Sequence, residues 1–360
     1  MAPVRTGLRI RSILGNEPMP EHDVFVIGGG PAGLAAAIAA ARRGMRVVVT
    51  DANAPPIDKP CGEGLMPDSR LHAERLGIDL PPSSGYEFRG IRFHGAGRSV
   101  ESDFPRGRGI GIRRTVLHEK LVGAAVKAGV ELRWNTTVSG LDKIRARWIV
   151  GADGSCSRVR RWAWLDSCHC NNRRYAYRQH FAVAPWTDCV EVHWGDGCQI
   201  YVTPVSREEV CIALISRAPE LRLGEALRRF FPVLHDRLAG ASATSRERGS
   251  VTATRRLRAV TRGNVALIGD ASGSVDAITG EGICLSFRQA EVLAAAMAKG
   301  DLAGYNRTHP RLALRPQLMA RTMLTLDRGA AARRWALSAM SWQPWIFRKL
   351  LAVHVLETGL

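Results

Sequence analysis

No stretch of the 360 residues approaches the roughly 20 consecutive apolar positions that a helix needs to cross a bilayer. The basic N-terminus (Arg5, Arg9, Arg11) is followed by neither an apolar segment nor a small-residue cleavage site, which argues against a secretory signal. The eight cysteines lack the even spacing of a disulfide framework, so a reducing, cytoplasmic setting is expected. The chain has no internal repeat, zinc finger, helix-turn-helix or RNA-binding signature, and no specific nucleic acid is expected as partner. Acidic residues are few: 33 Asp+Glu against 51 Lys+Arg leave a formal charge of +18, which favours phosphorylated or acidic ligands or an anionic surface.

What is present reads as an α/β protein. Asp23–Gly28 is a continuous apolar strand of the kind found in parallel sheets covered on both faces. Gly33–Arg43 is an alanine-rich helix stopped by Gly44, and Arg46–Thr50 is a second strand. Asp51–Met66 reads as a long ordered loop, Asp68–Leu76 as a helix capped by Asp68, and Tyr86–His94 as an alternating strand. Thr115–Ala128 is amphipathic, with Leu117, Leu121 and Ala125 on one face. Strands at Glu131–Trp134 and Trp148–Val150 follow. From Gln179 to Ser216 the period changes to two, as in an inserted antiparallel sheet, and short helices follow at Leu223–Phe231 and Val233–Leu238. Asn264–Ile268 returns the chain to the first sheet. Gly282–Lys299 and the chain from Leu302 onward are helical. Residues 1–20 read as a disordered extension, with Met19 just ahead of the first strand.

Gly28-Gly29-Gly30-Pro31-Ala32-Gly33 fits G-x-G-x-x-G between that strand and helix. Gly28 permits the turn, Gly30 lets a pyrophosphate approach, and Gly33 lets helix and strand pack, while the helix start offers free N–H groups to an anion. Asp51 closes the second strand, where a carboxylate meets ribose hydroxyls; the alternative is a loop cap.

Two further stretches carry a family resemblance. Gly151-Ala152-Asp153-Gly154-Ser155, with Ser157, Val159 and Arg160 following, resembles the DG motif of the para-hydroxybenzoate-hydroxylase-like FAD flavoproteins. Gly269-Asp270-Ala271-Ser272-Gly273, followed by Gly280-Glu281-Gly282, resembles their GD motif. Cys61-Gly62-Glu63-Gly64 and Thr279–Ile283 are similar to the geranylgeranyl reductase branch. The resemblance implies FAD bound by Gly28, Gly30, Ala32, Gly33, Asp51, Arg114 (or Arg113), Asp153, Gly154, Gly269, Asp270, Gly280, Gly282 and Ile283. It also implies NAD(P)H or another external electron donor.

The chain departs from the aromatic hydroxylases, which follow the GD motif with His and a Pro-Pro pair, in having Gly273 and Ser274 and then Ala277-Ile278, and in having Cys284 in place of Asn. Trp162-Ala163-Trp164 resembles the W-x-W of flavin halogenases, but Leu165-Asp166 lacks their Ile-Pro; two packing tryptophans are the simpler expectation. Cys61 and Glu63 are the catalytic candidates. Cys61 either positions or protonates a substrate, with Lys59 able to lower its pKa, or it packs as a small residue in a glycine-rich loop. Glu63 is either a carboxylate supporting that chemistry or a loop anchor. Cys168, His169 and Cys170 stand too close together to supply three ligands to one metal, so no metal site is expected. Cys189, Cys198 and Cys211 read as core.

The expected architecture is therefore a Rossmann-like FAD-binding domain of the glutathione-reductase type (21–90, 110–165 and 255–300). An inserted antiparallel-sheet substrate domain (91–109 and 166–254) and C-terminal helices (301–360) complete it. The expected function is oxidoreduction of a hydrophobic small molecule, by C=C reduction or by monooxygenation with O2. A non-catalytic membrane- or nucleic-acid-surface protein is the rival from another class. The tail Arg333–Leu356 interleaves Trp335, Trp342, Trp345 and Phe347 with Arg348 and Lys349; it either caps the fold or touches an anionic membrane.

Overall fold

A computed structural model describes residues 21–355, and every structural statement below is made of those residues. The expected extension at residues 1–20 lies outside them. Strand β1 (His22–Ile27), helix α1 (Pro31–Ala41) and strand β2 (Val47–Thr50) build the front of a parallel sheet, with Val24 opposite Val47 and Ile27 opposite Thr50. All of β2 is buried, as expected where helices cover both faces of a sheet. The α1 side chains are small and apolar all round, so the helix is buried rather than amphipathic and packs closely on the Gly282–Lys299 helix. In spatial order the sheet runs Thr261–Arg262, Val265–Leu267, Ala146–Gly151, β1, β2, Glu131–Arg133, and only the first pairing is antiparallel.

The second sheet has eight strands. Ser242–Ala243, Cys168–Ala182, Glu209–Ser216, Cys198–Pro204, Cys189–Trp194, Gly90–Gly95 and Arg98–Asp103 lie in that order, and Arg248–Leu257 pairs with Cys168–Ala182. It is not wholly antiparallel, because Gly90–Gly95 runs parallel to Cys189–Trp194. The single strand expected at Tyr86–His94 is two. Tyr86–Phe88 joins a small sheet with Gly109–Gly111 and Gly64–Leu65, and the chain changes sheets at Arg89. Arg89 makes that corner by pairing with Asp188, Glu101 and Asp103. The polar stretch from Cys168 to Arg174 is the first half of the longest strand, with the carbonyl and amide of Cys170 in register with Arg255.

One face of this sheet buries Ile200, Val202, Ile212 and Leu214 under Leu223–Phe230 and Pro232–Arg237. The other packs against the C-terminal helices Leu314–Arg328, Ala330–Trp342 and Pro344–Val355. There Phe93 stacks on Phe347 with ring centroids 4.8 Å apart. Asp68 does not cap its helix: Met66 is the N-cap, and Asp68 lies in the first turn of Pro67–Arg75.

Candidate functional site

The glycine turn joins β1 to α1 with little tolerance. Gly28 has φ +114°, and a methyl group there would enter the Ala152 carbonyl; one on Gly33 would enter the Gly28 carbonyl. A methyl on Gly29 would strike the Trp134 ring. Gly30 differs, since nothing stands within 4 Å of where its Cβ would be. Asp51 Oδ2 accepts from Gly29 N at 2.8 Å and Oδ1 accepts from Asn53 N at 2.9 Å, so this carboxylate also shapes the turn. His118, which sequence reasoning missed, supports the turn from behind. Its Nε2 lies 2.8 Å from the Gly29 carbonyl and its Nδ1 receives Ile57 N. That pair of bonds requires a neutral ring with the proton on Nε2, and desolvation lowers the His118 pKa in the same sense.

Asp153 and Asp270 have different surroundings. Asp153 is taken up by the next helix start, accepting from Ser157 Oγ at 2.5 Å and from Arg158 N and Val159 N. Gly154 beside it holds φ +81° with the Lys59 ammonium nearby. Arg160 is buried and joins the two motif loops by donating to the Ser155 and Ala271 carbonyls and pairing with Asp166. Asp270 follows the Val265–Leu267 strand at its C-terminal end, where ligands collect in such sheets. It has accessible surface, yet protein surrounds it closely enough that desolvation raises its pKa, opposed by Lys59, Arg114 and Arg255. Gly269 (φ +60°) packs against Ala32 and so brings the two loops together.

These residues fit an extended FAD. Gly30, Gly280 and Gly282 open onto empty space, so no side chain closes the path past α1 and the Gly282–Lys299 helix start. Arg114 Nε is buried with no hydrogen-bond partner in the protein, although its side chain lines a cleft. Arg113, the alternative, is committed elsewhere, pairing with Glu209 and Thr244.

The same narrow cleft is lined by Cys61, Glu63, Leu65, Ile112, Arg114, Leu117 and Ile283. Cys61 is half-buried, and its loop is fixed from three sides. Thr203 Oγ1 donates to the Gly62 carbonyl at 2.7 Å, the Cys211 thiol faces the Cys61 carbonyl, and Glu63 N donates to Cys61 Sγ at 3.4 Å. Glu63 adopts φ +58°, a conformation that non-glycine residues hold only when their surroundings enforce it. Here the enforcing contacts are on the carboxylate: Oε2 meets His180 Nε2 at 2.6 Å, Oε1 accepts from Arg114 N at 3.0 Å, and Arg178 Nε stands 3.8 Å away. Arg178 also pairs with Asp58, and His180 Nδ1 receives Ser245 Oγ. Of its two open readings, Glu63 has the contacts of an anchor that turns Cys61 toward the cleft.

Two clusters have metal-ligating side chains, Glu63/His180/Cys211 and His94/Glu191/His193. In the first, burial raises the Cys211 thiol pKa well above its ordinary value, and in both an arginine (Arg178 or Arg92) already lies beside the carboxylate. Cys168 and Cys170, two residues apart on a strand, share one face and leave His169 on the other. Glu281 is the other group that sequence reasoning passed over. It is the N-cap of the Gly282–Lys299 helix, and burial, with Asp68 adding repulsion, pushes its carboxyl up to about 8. The Cys284 thiol donates to Asp68 Oδ2 at 3.2 Å behind it. Trp162 packs on the core as expected, but Trp164 is 80% exposed.

Comparison with known proteins supports the same assignment. A family pattern for FAD dependent oxidoreductases matches residues 23–54. The chain is 27% identical to a menaquinone reductase of Mycolicibacterium smegmatis, over 81% of this chain and 80% of that protein. It is also 27% identical to a digeranylgeranylglycerophospholipid reductase of Thermoplasma volcanium, over 74% and 75% of the two chains. Its fold matches a p-nitrophenol 4-monooxygenase of Pseudomonas putida (TM-score 0.80, 20% identity, 95% of this chain and 100% of that one). A flavin-dependent brominase matches equally well (TM-score 0.80, 16% identity, 93% of each chain). The fold therefore serves reductases, monooxygenases and halogenases, and does not by itself choose among them.

Proposed function

From the premise that this chain is a FAD-dependent oxidoreductase of the para-hydroxybenzoate-hydroxylase-like type, we propose that it reduces a C=C bond or quinone of a hydrophobic substrate. The observation that carries this reading is the half-buried Cys61 thiol set into a narrow cleft whose other walls include Leu65, Ile112, Leu117 and Ile283. Bound FAD supplies two-electron transfer between an external donor and the substrate. The chain's own residues do the rest. The Gly28–Gly33 turn and the α1 N-terminus bind the diphosphate, Arg114 adds positive charge, and Asp270 accepts hydrogen bonds from the ribityl hydroxyls. The N–H groups at Gly280–Gly282 would be available to stabilise negative charge on the bound cofactor. Cys61 Sγ holds a proton at the substrate, and the apolar walls exclude water. The relatives named as reductases of a quinone and of an isoprenoid lipid, each aligned over about three quarters of the chain or more, support the direction of reaction.

No helix is long and apolar enough to cross a membrane. A substrate of this class reaches the cleft from a bilayer surface, and the exposed Trp335, Trp342, Trp345 and Leu350 beside Arg348 and Lys349 suit peripheral contact with anionic lipid. The test of the reaction is turnover without oxygen. FAD-loaded enzyme under argon, given NAD(P)H and a menaquinone or polyprenyl lipid, should form reduced product that does not appear when the enzyme is left out. Product that appears only in step with O2 consumption would establish monooxygenation instead.

A further inference from the structure

We propose that a crevice between the mixed sheet and the C-terminal helices, lined by Arg173, Arg174, Arg217 and Arg328, binds a phosphate-type oxyanion. The crevice offers about 180 Å³ and is open to solvent on one side. It is separate from the cofactor cleft: Arg217 lies six residues beyond Cys211 along the strand Glu209–Ser216 and its exit, about 20 Å at the rise of a strand.

Arg174 carries the argument. Its side chain is 2% exposed, Nη2 pairs with Asp327 at 2.7 Å, and Nε lies 3.3 Å from Asp276. Nη1 is buried and has no hydrogen-bond partner in the protein. A buried guanidinium N–H without an acceptor is costly, so a residue held this rigidly with one donor unused is set up for an acceptor from outside. The placement of charge agrees. Asp327 is shared among Arg174, Arg217 and Gln199, and Asp276 lies within Coulombic range of Arg174. Three arginines (Arg173, Arg174 and Arg217) thus stand with two carboxylates, and Arg328 lines the crevice beside them. The placement is also built in, because a β-bulge adds one residue to the long strand between Asn171 and Arg174, at the point where Arg173 and Arg174 occur. Bulges re-aim side chains, and planar guanidinium forks match the tetrahedral oxygens of phosphate better than they match chloride.

The experiment uses FAD-saturated protein, so that the dinucleotide turn cannot take the probe. Inorganic phosphate is titrated calorimetrically at constant ionic strength, with chloride as control. Saturable phosphate binding is expected. The exposed double variant Arg173→Gln/Arg328→Gln, which leaves the Arg174–Asp327 pair intact, should bind about tenfold more weakly or worse. No saturable heat, or equal affinity in the variant, overturns the proposal. Sedimentation with phosphatidylcholine vesicles, with and without phosphatidic acid, identifies the source. If the variant also loses the phosphatidic-acid-dependent fraction, the oxyanion is a lipid headgroup; if only phosphate binding falls, it belongs to a soluble ester. Neither readout uses turnover, so this site and the proposed reaction stand or fall separately.

Discussion

Two alanines placed three residues apart should separate what the glycine turn does for the fold from what it does for the cofactor. At Gly33 a methyl group meets the Gly28 carbonyl, a backbone atom that cannot move aside without unpacking α1 from β1. Overpacking of this kind costs about 2–4 kcal/mol, or roughly 3–5 °C in Tm for a chain of this size. At Gly30 the methyl meets open space, and the backbone there (φ −73°, ψ 178°) suits alanine. Losing glycine at an N-cap costs up to about 1 kcal/mol, and restricting the unfolded chain returns about 0.4–1 kcal/mol, so Gly30→Ala should melt within about 2 °C of the parent. On the path proposed for the diphosphate the same methyl stands in the way, so FAD affinity should fall by at least about tenfold. Calorimetry of the apo proteins and fluorescence titration with FAD read the two quantities independently. A Gly30→Ala protein that binds FAD like the parent would show that the diphosphate takes another path, and a Gly33→Ala protein of parental stability would show that the close contact is unimportant.

Other outcomes follow from the same geometry. The Glu281 carboxyl titrates from 4.5 up to about 8 on folding, so its stabilisation is complete below about pH 4.5 and is lost as pH rises to about 8. Glu281→Gln should therefore gain several degrees in Tm over the parent between pH 6 and pH 9, whereas parallel melting curves would contradict the assignment. Cys61→Ala should retain FAD and lose turnover by about tenfold or more, and full turnover would reduce Cys61 to a packing residue. Replacing Trp342 and Trp345, which are 80% and 56% exposed, with Gln should weaken sedimentation with phosphatidylserine vesicles by about tenfold or more. Unchanged sedimentation would place the membrane contact elsewhere or remove it.

Local order in the sequence was enough to find the glycine turn, the strand before Asp270 and the boundaries of Gly282–Lys299, because each is a short-range pattern of period or spacing. The supports behind the site were not legible. Glu63 meets His180 across 117 residues, His118 meets Gly29 across 89, and Arg174 meets Asp327 across 153. Nothing in the neighbourhood of either partner announces such pairings. Arg248–Leu257 was missed for a different reason: it is largely exposed, so no apolar alternation marks it as a strand. The break at Arg89 shows in the sequence only as a slip of phase, from Phe88 to Ile91 and Phe93, where the hydrogen bonding passes to another sheet.

The position of Asp327 has a practical consequence for anyone cutting this protein into pieces. It sits one residue from the end of Leu314–Arg328, yet its carboxylate is wholly enclosed by Arg174, Arg217 and Gln199 from strands more than a hundred residues earlier. A fragment ending upstream of it would keep every residue assigned to the flavin, yet leave Arg217 without its carboxylate and the buried Arg174 with Asp276 alone. Expression designs, split reporters and domain exchanges should therefore treat the C-terminal helices through this aspartate as part of the minimal folding unit.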